Sequence, residues 1–170
     1  MKRAKQLIIS LLLCWALIFI LFFEIEFSPD RTRWALANKG IGNYRVTVND
    51  CPTFASGSRF KKMGFSYDNK YLMVQGKHSG KNTFAVFNIE KEFIHNMNED
   101  IQKACLSKDS QLLDYQAGEK LSLDFICWHQ DYNYIKFDYE IIHSDGSATT
   151  GFFWLDYEGC KLMAVNEEIK

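Results

Sequence analysis

An uninterrupted apolar run near the N-terminus constrains this chain more than any other feature of its sequence. Residues 7–23 read LIISLLLCWALIFILFF, which is 17 residues without a charge. As a helix they would span roughly 25 Å, close to the ~30 Å hydrocarbon core of a bilayer. The run therefore predicts a transmembrane helix over residues 7–27, preceded by a cytoplasmic tail of residues 1–6.

The flanks of this run favour a retained signal anchor. A cleavable signal peptide has small residues shortly after its apolar core, whereas the letters EIEF follow here. Lys2, Arg3 and Lys5 precede the run, and basic residues of this kind stay on the cytoplasmic side. We expect a single-pass protein of a bacterial inner membrane, with its N-terminus in the cytoplasm and one domain, residues 28–170, in the periplasm.

The composition of the chain indicates that this outer domain is folded. Hydrophobic residues make up 47% of the chain and aromatic residues 15%, which is typical of a folded domain with one core. The net charge of −1 indicates no nucleic-acid partner.

Four cysteines lie outside the apolar run, and an even set suits an oxidising compartment. They are the disulfide candidates Cys51, Cys105, Cys127 and Cys160. Sequence allows three pairings, of which Cys127 with Cys160 and Cys51 with Cys105 is preferred. Buried thiols are the alternative.

Hydrophobic periodicity predicts an α+β domain that is mainly antiparallel sheet. Alternating patterns predict strands over residues 44–48, 60–67, 70–76, 83–87, 121–127, 135–141, 151–156 and 160–165. The helix-start signal Ser28-Pro29-Asp30 predicts a short helix that includes residues 34–38. Helical spacing predicts an amphipathic helix over 89–106 that covers the sheet. Asp145-Gly146 predicts a type I′ hairpin turn, and no internal repeat is recognised.

Catalytic and cofactor motifs do not occur at their required spacing. The sequence lacks a complete dinucleotide loop, a phosphate-binding loop, a His-Glu-x-x-His zinc motif and a Gly-x-Ser-x-Gly elbow. We therefore predict a protein that is no enzyme and has no catalytic residues, cofactor or metal.

Aromatic residues crowd the last predicted strands and suggest a partner or ligand surface. The candidates are Trp128, Tyr134, Phe152 and Trp154. The sequence Phe152-Phe153-Trp154 puts large apolar groups on both faces of one strand, and the face turned away from the core needs a cover. The helix over 89–106, an apolar ligand, another chain or a second internal layer could each supply it.

The overall plan resembles the small periplasmic partners of membrane-bound transcription activators, the ToxS and PsaF type. A basic tail, the apolar run over 7–23 and a strand-rich outer domain carry the resemblance. It implies an accessory or sensor protein that binds and stabilises another bitopic inner-membrane protein, with an apolar small ligand as an optional addition. The alternative is a periplasmic immunity protein that neutralises a toxin, for example through the loop over residues 51–59.

Overall fold

The computed structural model describes residues 2–39, 43–49, 54–106, 115–116 and 118–169. In these ranges the chain forms two helices and twelve strands. In chain order they are α1 (Lys2–Phe22), β1 (Phe23–Phe27), β2 (Trp34–Asn38), β3 (Tyr44–Val48), β4 (Phe54–Gly57), β5 (Arg59–Phe65), β6 (Tyr71–His78), β7 (Lys81–Asn88), β8 (Phe93–Asn96), α2 (Asn98–Leu106), β9 (Lys120–Trp128), β10 (Tyr134–Ile142), β11 (Ala148–Asp156) and β12 (Lys161–Val165).

The strands form three antiparallel sheets of four strands each, and every strand pairs with its neighbour in sequence. Sheet I contains β1 to β4, sheet II contains β5 to β8, and sheet III contains β9 to β12. Each sheet is thus a meander built from one continuous stretch of chain, and short hairpin connections explain this order.

The first hairpin of sheet I and the first hairpin of sheet II close with the same turn. The N–H groups of Ser28 and Ser66 donate to the carbonyl oxygens five residues later, at 3.0 and 2.9 Å. Each serine hydroxyl also bonds the carboxylate of the aspartate two residues on, at 2.6 Å in both cases. The residue after each aspartate has a positive φ, 59° and 61°. The two turns are therefore repeats of one structure.

Sheet III carries a variant of this turn, with His129 in the place of the serine. The N–H of His129 donates to the carbonyl of Tyr134 at 2.8 Å, and its Nδ1 accepts the N–H of Asp131 at 3.1 Å. Ser28, Ser66 and His129 are all buried. The three sheets are thus repeats, and the sequence-based interpretation that found no repeat is wrong.

Sheet II is the middle layer and is covered on both faces. Leu72 and Val74 face sheet I, in a cluster that includes Ala35 and Val46. Met73, between them on β6, belongs to a second cluster formed by sheet II, sheet III and α2. Because successive side chains of a strand point to opposite faces, the fully buried run of β6 follows from its central position.

The predicted fold class is wrong in two respects. In the described residues strands dominate and only α1 and α2 are α-helical, so the domain is mainly β and not α+β. The predicted helix over 89–106 is helical only from Asn98, because Phe93–Asn96 pairs with β7 as an edge strand. The predicted helix over 34–38 is strand β2, paired with β1 and β3.

The predicted transmembrane signal anchor over residues 7–27 is also wrong. In the part of the chain that the structure describes, no helix has the combination of length and apolarity that crossing a membrane requires. Helix α1 ends at Phe22, and Phe23–Phe27 is strand β1, paired in register with Trp34–Asn38. The boundary expected between residues 27 and 28 therefore falls inside the first hairpin of sheet I.

Candidate functional site

The predicted aromatic surface is only partly assembled. Tyr134, Phe152 and Trp154 lie on the face of sheet III that points away from sheet II, where Trp154 is opposite Lys136 and Phe152 is opposite Asp138. Trp128 points the other way, into the core between sheets II and III, and donates its Nε1–H to the carbonyl of Gly64 at 2.9 Å. Trp128 therefore does not belong to this surface.

The chain's own C-terminal residues close this aromatic face. Lys136 forms an ion pair with Glu168, and its ammonium lies 4.0 Å from the centre of the Phe152 ring. His129 Nδ1 is an acceptor in its turn, so its Nε2–H donates to the carbonyl of Ile169 at 3.1 Å. Trp154 is buried on the same face, with its ring centre 5.2 Å from that of His129. The segment after β12 therefore supplies the cover that we expected from the sequence over this apolar face.

The rest of this outer face of sheet III is polar. Asp138 and Glu140 on β10 are exposed there, beside Thr150 of β11. A polar outer face is what the last layer of a stacked repeat needs to stay in contact with water. Sheet III is therefore a closed end of the stack.

The preferred disulfide between Cys127 and Cys160 is absent, and both residues are thiols. Cys127 lies on β9 and Cys160 directly precedes β12, which are the two edge strands of sheet III. Three strand spacings separate them by about 14 Å, whereas a disulfide needs Cα atoms within about 7 Å. Cys51 lies outside the described residues, and burial raises the pKa of Cys105 to about 12.

The opposite end of the stack is different, because on the outer face of sheet I the hairpin of β1 and β2 carries large apolar side chains that are exposed or half-buried. We call this surface the open face; it consists of Ile25, Phe27, Trp34 and Leu36. Cross-strand pairs place Ile25 beside Leu36 and Phe27 beside Trp34. Phe27 is 59% exposed and Ile25 is 42% exposed. The sequence-based interpretation missed this surface because it assigned residues 23–27 to the membrane helix.

The repeat shows what the open face corresponds to. Trp34 and Leu36 follow the turn residue Ser28 by the same intervals as Leu72 and Val74 follow Ser66. The equivalent residues of sheet III, Ile135 and Phe137, follow His129 in the same way. All four equivalents are fully buried against the preceding sheet. The recurring Phe-Ser-x-Asp at residues 27–30 and 65–68 is the sequence signal that could have revealed this.

Histidine and carboxylate side chains form pairs but no larger cluster in the described ranges. His95 Nε2 lies 2.7 Å from Asp100, and His143 Nδ1 lies 2.9 Å from Glu119. Among the residues described, no group of three or more His, Cys, Asp or Glu side chains could hold a metal ion. The expectation that the chain is no enzyme stays a prediction.

No protein-family model matches this sequence, and no curated protein matches it either. TolB from Acinetobacter baumannii is similar in structure, with a TM-score of 0.50 and 13% identity over 82% of this chain and 31% of that chain. The β-propeller domain of the Trilobed protease from Pyrococcus furiosus has a TM-score of 0.40 and 12% identity, over 83% of this chain and 56% of that domain.

The likeness to TolB concerns the fold alone, and this chain spans about a third of TolB's length. Neither neighbour is a ToxS-type or PsaF-type protein, so that resemblance stays a prediction.

Proposed function

We propose that this chain is a binding module that docks a second protein on the open face of sheet I. The observation that carries the proposal is the repeat equivalence: the positions of Trp34 and Leu36 are fully buried in sheets II and III, whereas in sheet I Trp34 is exposed and Leu36 is only half-buried. A contiguous apolar patch on a folded domain marks an interaction surface more often than chance exposure does.

The side chains of the open face are suited to an interface core. Aromatic residues are enriched among the residues that dominate binding energies, and the open face pairs Phe27 with Trp34 across two strands. Removing one such side chain from water contributes about 1.5–3 kcal/mol to the free energy of binding. Four adjacent side chains are therefore enough to anchor a specific complex.

The interface between sheets I and II indicates the chemistry of the partner. There, Ala35 and Ala37 on β2 and Val46 on β3 face the bulkier Leu72 and Phe65 of sheet II, whereas the start of β3 presents the ring of Tyr44 to Gly76. On the open face, Trp34 and Phe27 hold the repeat positions that Leu72 and Phe65 hold in sheet II, and they are equally bulky. Its partner is therefore a protein that presents a sheet face of small apolar side chains.

This proposal retains one part of the interpretation made from sequence. Partner binding is kept, but its surface moves from sheet III to sheet I. The periplasmic location, the inner-membrane partner and the regulatory role stay predictions. The immunity-protein alternative relied on a loop over residues 51–59, which begins outside the described residues and includes strand β4 at Phe54–Gly57.

Site-specific photo-crosslinking in cells tests the proposal. A photoreactive residue replaces Phe27 in one variant of the full chain and Glu140, on the polar face of sheet III, in a matched control. We expect one crosslinked protein at position 27 and none at position 140. Adding Ile25→Lys and Trp34→Lys should abolish the product while the thermal unfolding midpoint stays the same.

Three results would overturn the proposal. They are no product at position 27, equal products at positions 27 and 140, and a product that contains only this chain.

A further inference from the structure

The strands at the edges of the three sheets differ in how those edges are protected. A free sheet edge presents unpaired N–H and C=O groups, and natural proteins protect such edges with charged side chains or β-bulges. The edge strands are β1 and β4 in sheet I, β5 and β8 in sheet II, and β9 and β12 in sheet III.

Bulges or charges protect all of these edges except that of β8. Strand β1 pairs regularly but carries Glu24 and Glu26. Strand β8 pairs regularly with β7 over Phe93–Asn96 and contains no Lys, Arg, Asp or Glu. Its edge therefore remains available for pairing with another strand. The other four edge strands each contain one extra residue relative to the strand beside them, at Ala55, Lys61, Ile126 and Met163.

The backbone of β8 directs hydrogen-bonding groups away from sheet II at Ile94. The N–H of Met97 donates to the carbonyl of Phe84 at 3.0 Å. Because the bonds between antiparallel strands fall on alternate residues, those to β7 come from Phe93 and His95, and the N–H and C=O of Ile94 point outward. The strand also leaves apolar side chains in contact with water on both of its faces, since Phe93 is 59% exposed and Ile94 is 43% exposed.

Carboxylates flank this edge at both ends. Glu90 and Glu92 lie in the turn that leads into β8, and Glu99 and Asp100 lie in the first turn of α2 directly after it. Lys91 is the only Lys or Arg between residues 90 and 100. Glu99 and Asp100 are paired within the chain, whereas Glu90 and Glu92 are exposed and have no basic partner within ion-pair distance among the described residues. The edge is therefore surrounded by negative charge.

We propose that the edge of β8 binds an extended segment of another protein that carries Lys or Arg beside apolar residues. The segment adds a strand to sheet II, and its main-chain groups bond those of Ile94. Its apolar side chains pack against Phe93 and Ile94, and its basic side chains face Glu90 and Glu92. A second copy of this chain would bring a second set of carboxylates to the edge, and like charges across a strand pair are unfavourable. This surface is separate from the open face, which lies on sheet I.

Fluorescence anisotropy of a labelled peptide, Lys-Thr-Val-Thr-Val-Thr-Lys, tests this edge on the full chain. We expect saturable binding with a Kd below about 1 mM. A peptide with Glu in place of both Lys residues should bind about 10-fold more weakly or less. No saturable binding of the basic peptide at about 1 mM would overturn the proposal, and so would equal binding of the two peptides.

A proline substitution tests the main-chain contact. Ile94→Pro removes the N–H that points outward and leaves the bonds of Phe93 and His95 to β7 in place, and proline is tolerated at such positions of edge strands. It should abolish binding of the basic peptide. Ile94→Val, which keeps the N–H and an apolar side chain, is the matched control and should leave the Kd within about 3-fold of the wild type. Wild-type affinity in Ile94→Pro would contradict the assignment.

The charges are tested separately. Glu90→Gln with Glu92→Gln should weaken the basic peptide about 3–10-fold, the effect of two solvent-exposed ion pairs, whereas Glu140→Gln on sheet III should not. An unchanged Kd in the double variant would contradict the proposed charge of the partner. If Ile94→Pro does not fold, the charge variants and the two peptides decide the proposal.

Sedimentation of the chain without peptide separates the proposed partner from a second copy. We expect no dimer that depends on β8. A dimer that is lost in Glu90→Lys with Ile94→Lys would assign this edge to a second copy and overturn the proposal.

Discussion

Trp34 and Leu72 hold the same position in successive sheets, six residues after Ser28 and Ser66 respectively, yet Trp34 is 37% exposed and Leu72 is 0% exposed. The difference arises because sheet I lies in front of Leu72, whereas no described residue covers Trp34 in the same way. The same repeat position therefore lies in the core in sheet II and on the protein surface in sheet I.

The first prediction follows from this pair. Leu72→Ala removes a fully buried side chain and should lower the free energy of unfolding by about 2–5 kcal/mol. Trp34→Ala should lower it by less than Leu72→Ala in the isolated chain, because 37% of the Trp34 surface is already in contact with water. Urea unfolding of both variants measures this. Equal losses would mean that the open face is covered in solution.

The second prediction concerns the close approach of sheets I and II. A Cβ placed on Gly76 of β6 would lie 2.6 Å from Tyr44 Cζ on β3. Gly76→Ala should therefore lower the free energy of unfolding by about 1–3 kcal/mol through overpacking. In a Tyr44→Ala background the same substitution should be nearly neutral, and a double-mutant cycle by urea unfolding checks this. If Gly76→Ala still lowers the free energy of unfolding when the Tyr44 ring is absent, the packing described here is contradicted.

The third prediction concerns the repeated turn. The hydroxyl of Ser66 accepts the N–H of Tyr71 at 3.0 Å and donates to Asp68 at 2.6 Å, and it is buried. Ser66→Ala should lower the free energy of unfolding by about 1–3 kcal/mol, because it leaves buried polar groups without partners. Ser58→Ala is the matched control, since the Ser58 hydroxyl is exposed and makes one bond, to the carbonyl of Lys77. A similar loss in both variants would count against the turn's structural role.

The fourth prediction is a pH dependence. Burial alone would raise the pKa of Asp124, but hydrogen bonds from Lys61 and Gln75 hold it below its ordinary value of 3.8. A carboxylate with a lowered folded-state pKa contributes stability above 3.8, and the contribution disappears as pH falls through the lowered value. The stability difference between the wild type and Asp124→Asn should be constant near neutral pH and become smaller as pH falls through the lowered pKa of Asp124. Urea unfolding between about pH 2 and 7 measures it. A difference independent of pH would contradict the prediction.

Local sequence signals predicted every strand of sheets II and III except β8. Residues 135–141 alternate apolar and polar, and β10 spans Tyr134–Ile142 with its apolar set in the core. The turn at Asp145-Gly146 also forms, but only Gly146 has a positive φ, of 84°. A type I′ turn needs two such residues. That requirement is met at Ser79 and Gly80, with φ values of 50° and 80°.

In sheet I, β3 was predicted, but β1 and β2 were missed for physical reasons that the sequence explains. Strand β1 begins at the last residue of the apolar run, so its alternating letters FEIEF were assigned to the end of the membrane helix. Strand β2 contains Ala35 and Ala37, and alanine is the strongest helix former. Both alanines are fully buried against sheet II, where only a small side chain allows the close approach. Tertiary packing therefore overrides local preference here, and the open face could not be inferred from local pattern alone.

The most direct test of the central claim is an equilibrium measurement between the purified chain and the protein that crosslinks at position 27. Phe27→Lys should raise the Kd at least about 30-fold, the effect of losing a buried aromatic anchor. Glu140→Lys, on the polar face of sheet III, should leave the Kd unchanged. An unchanged Kd for Phe27→Lys, with the fold intact by circular dichroism, would contradict the assignment of the open face as the docking surface.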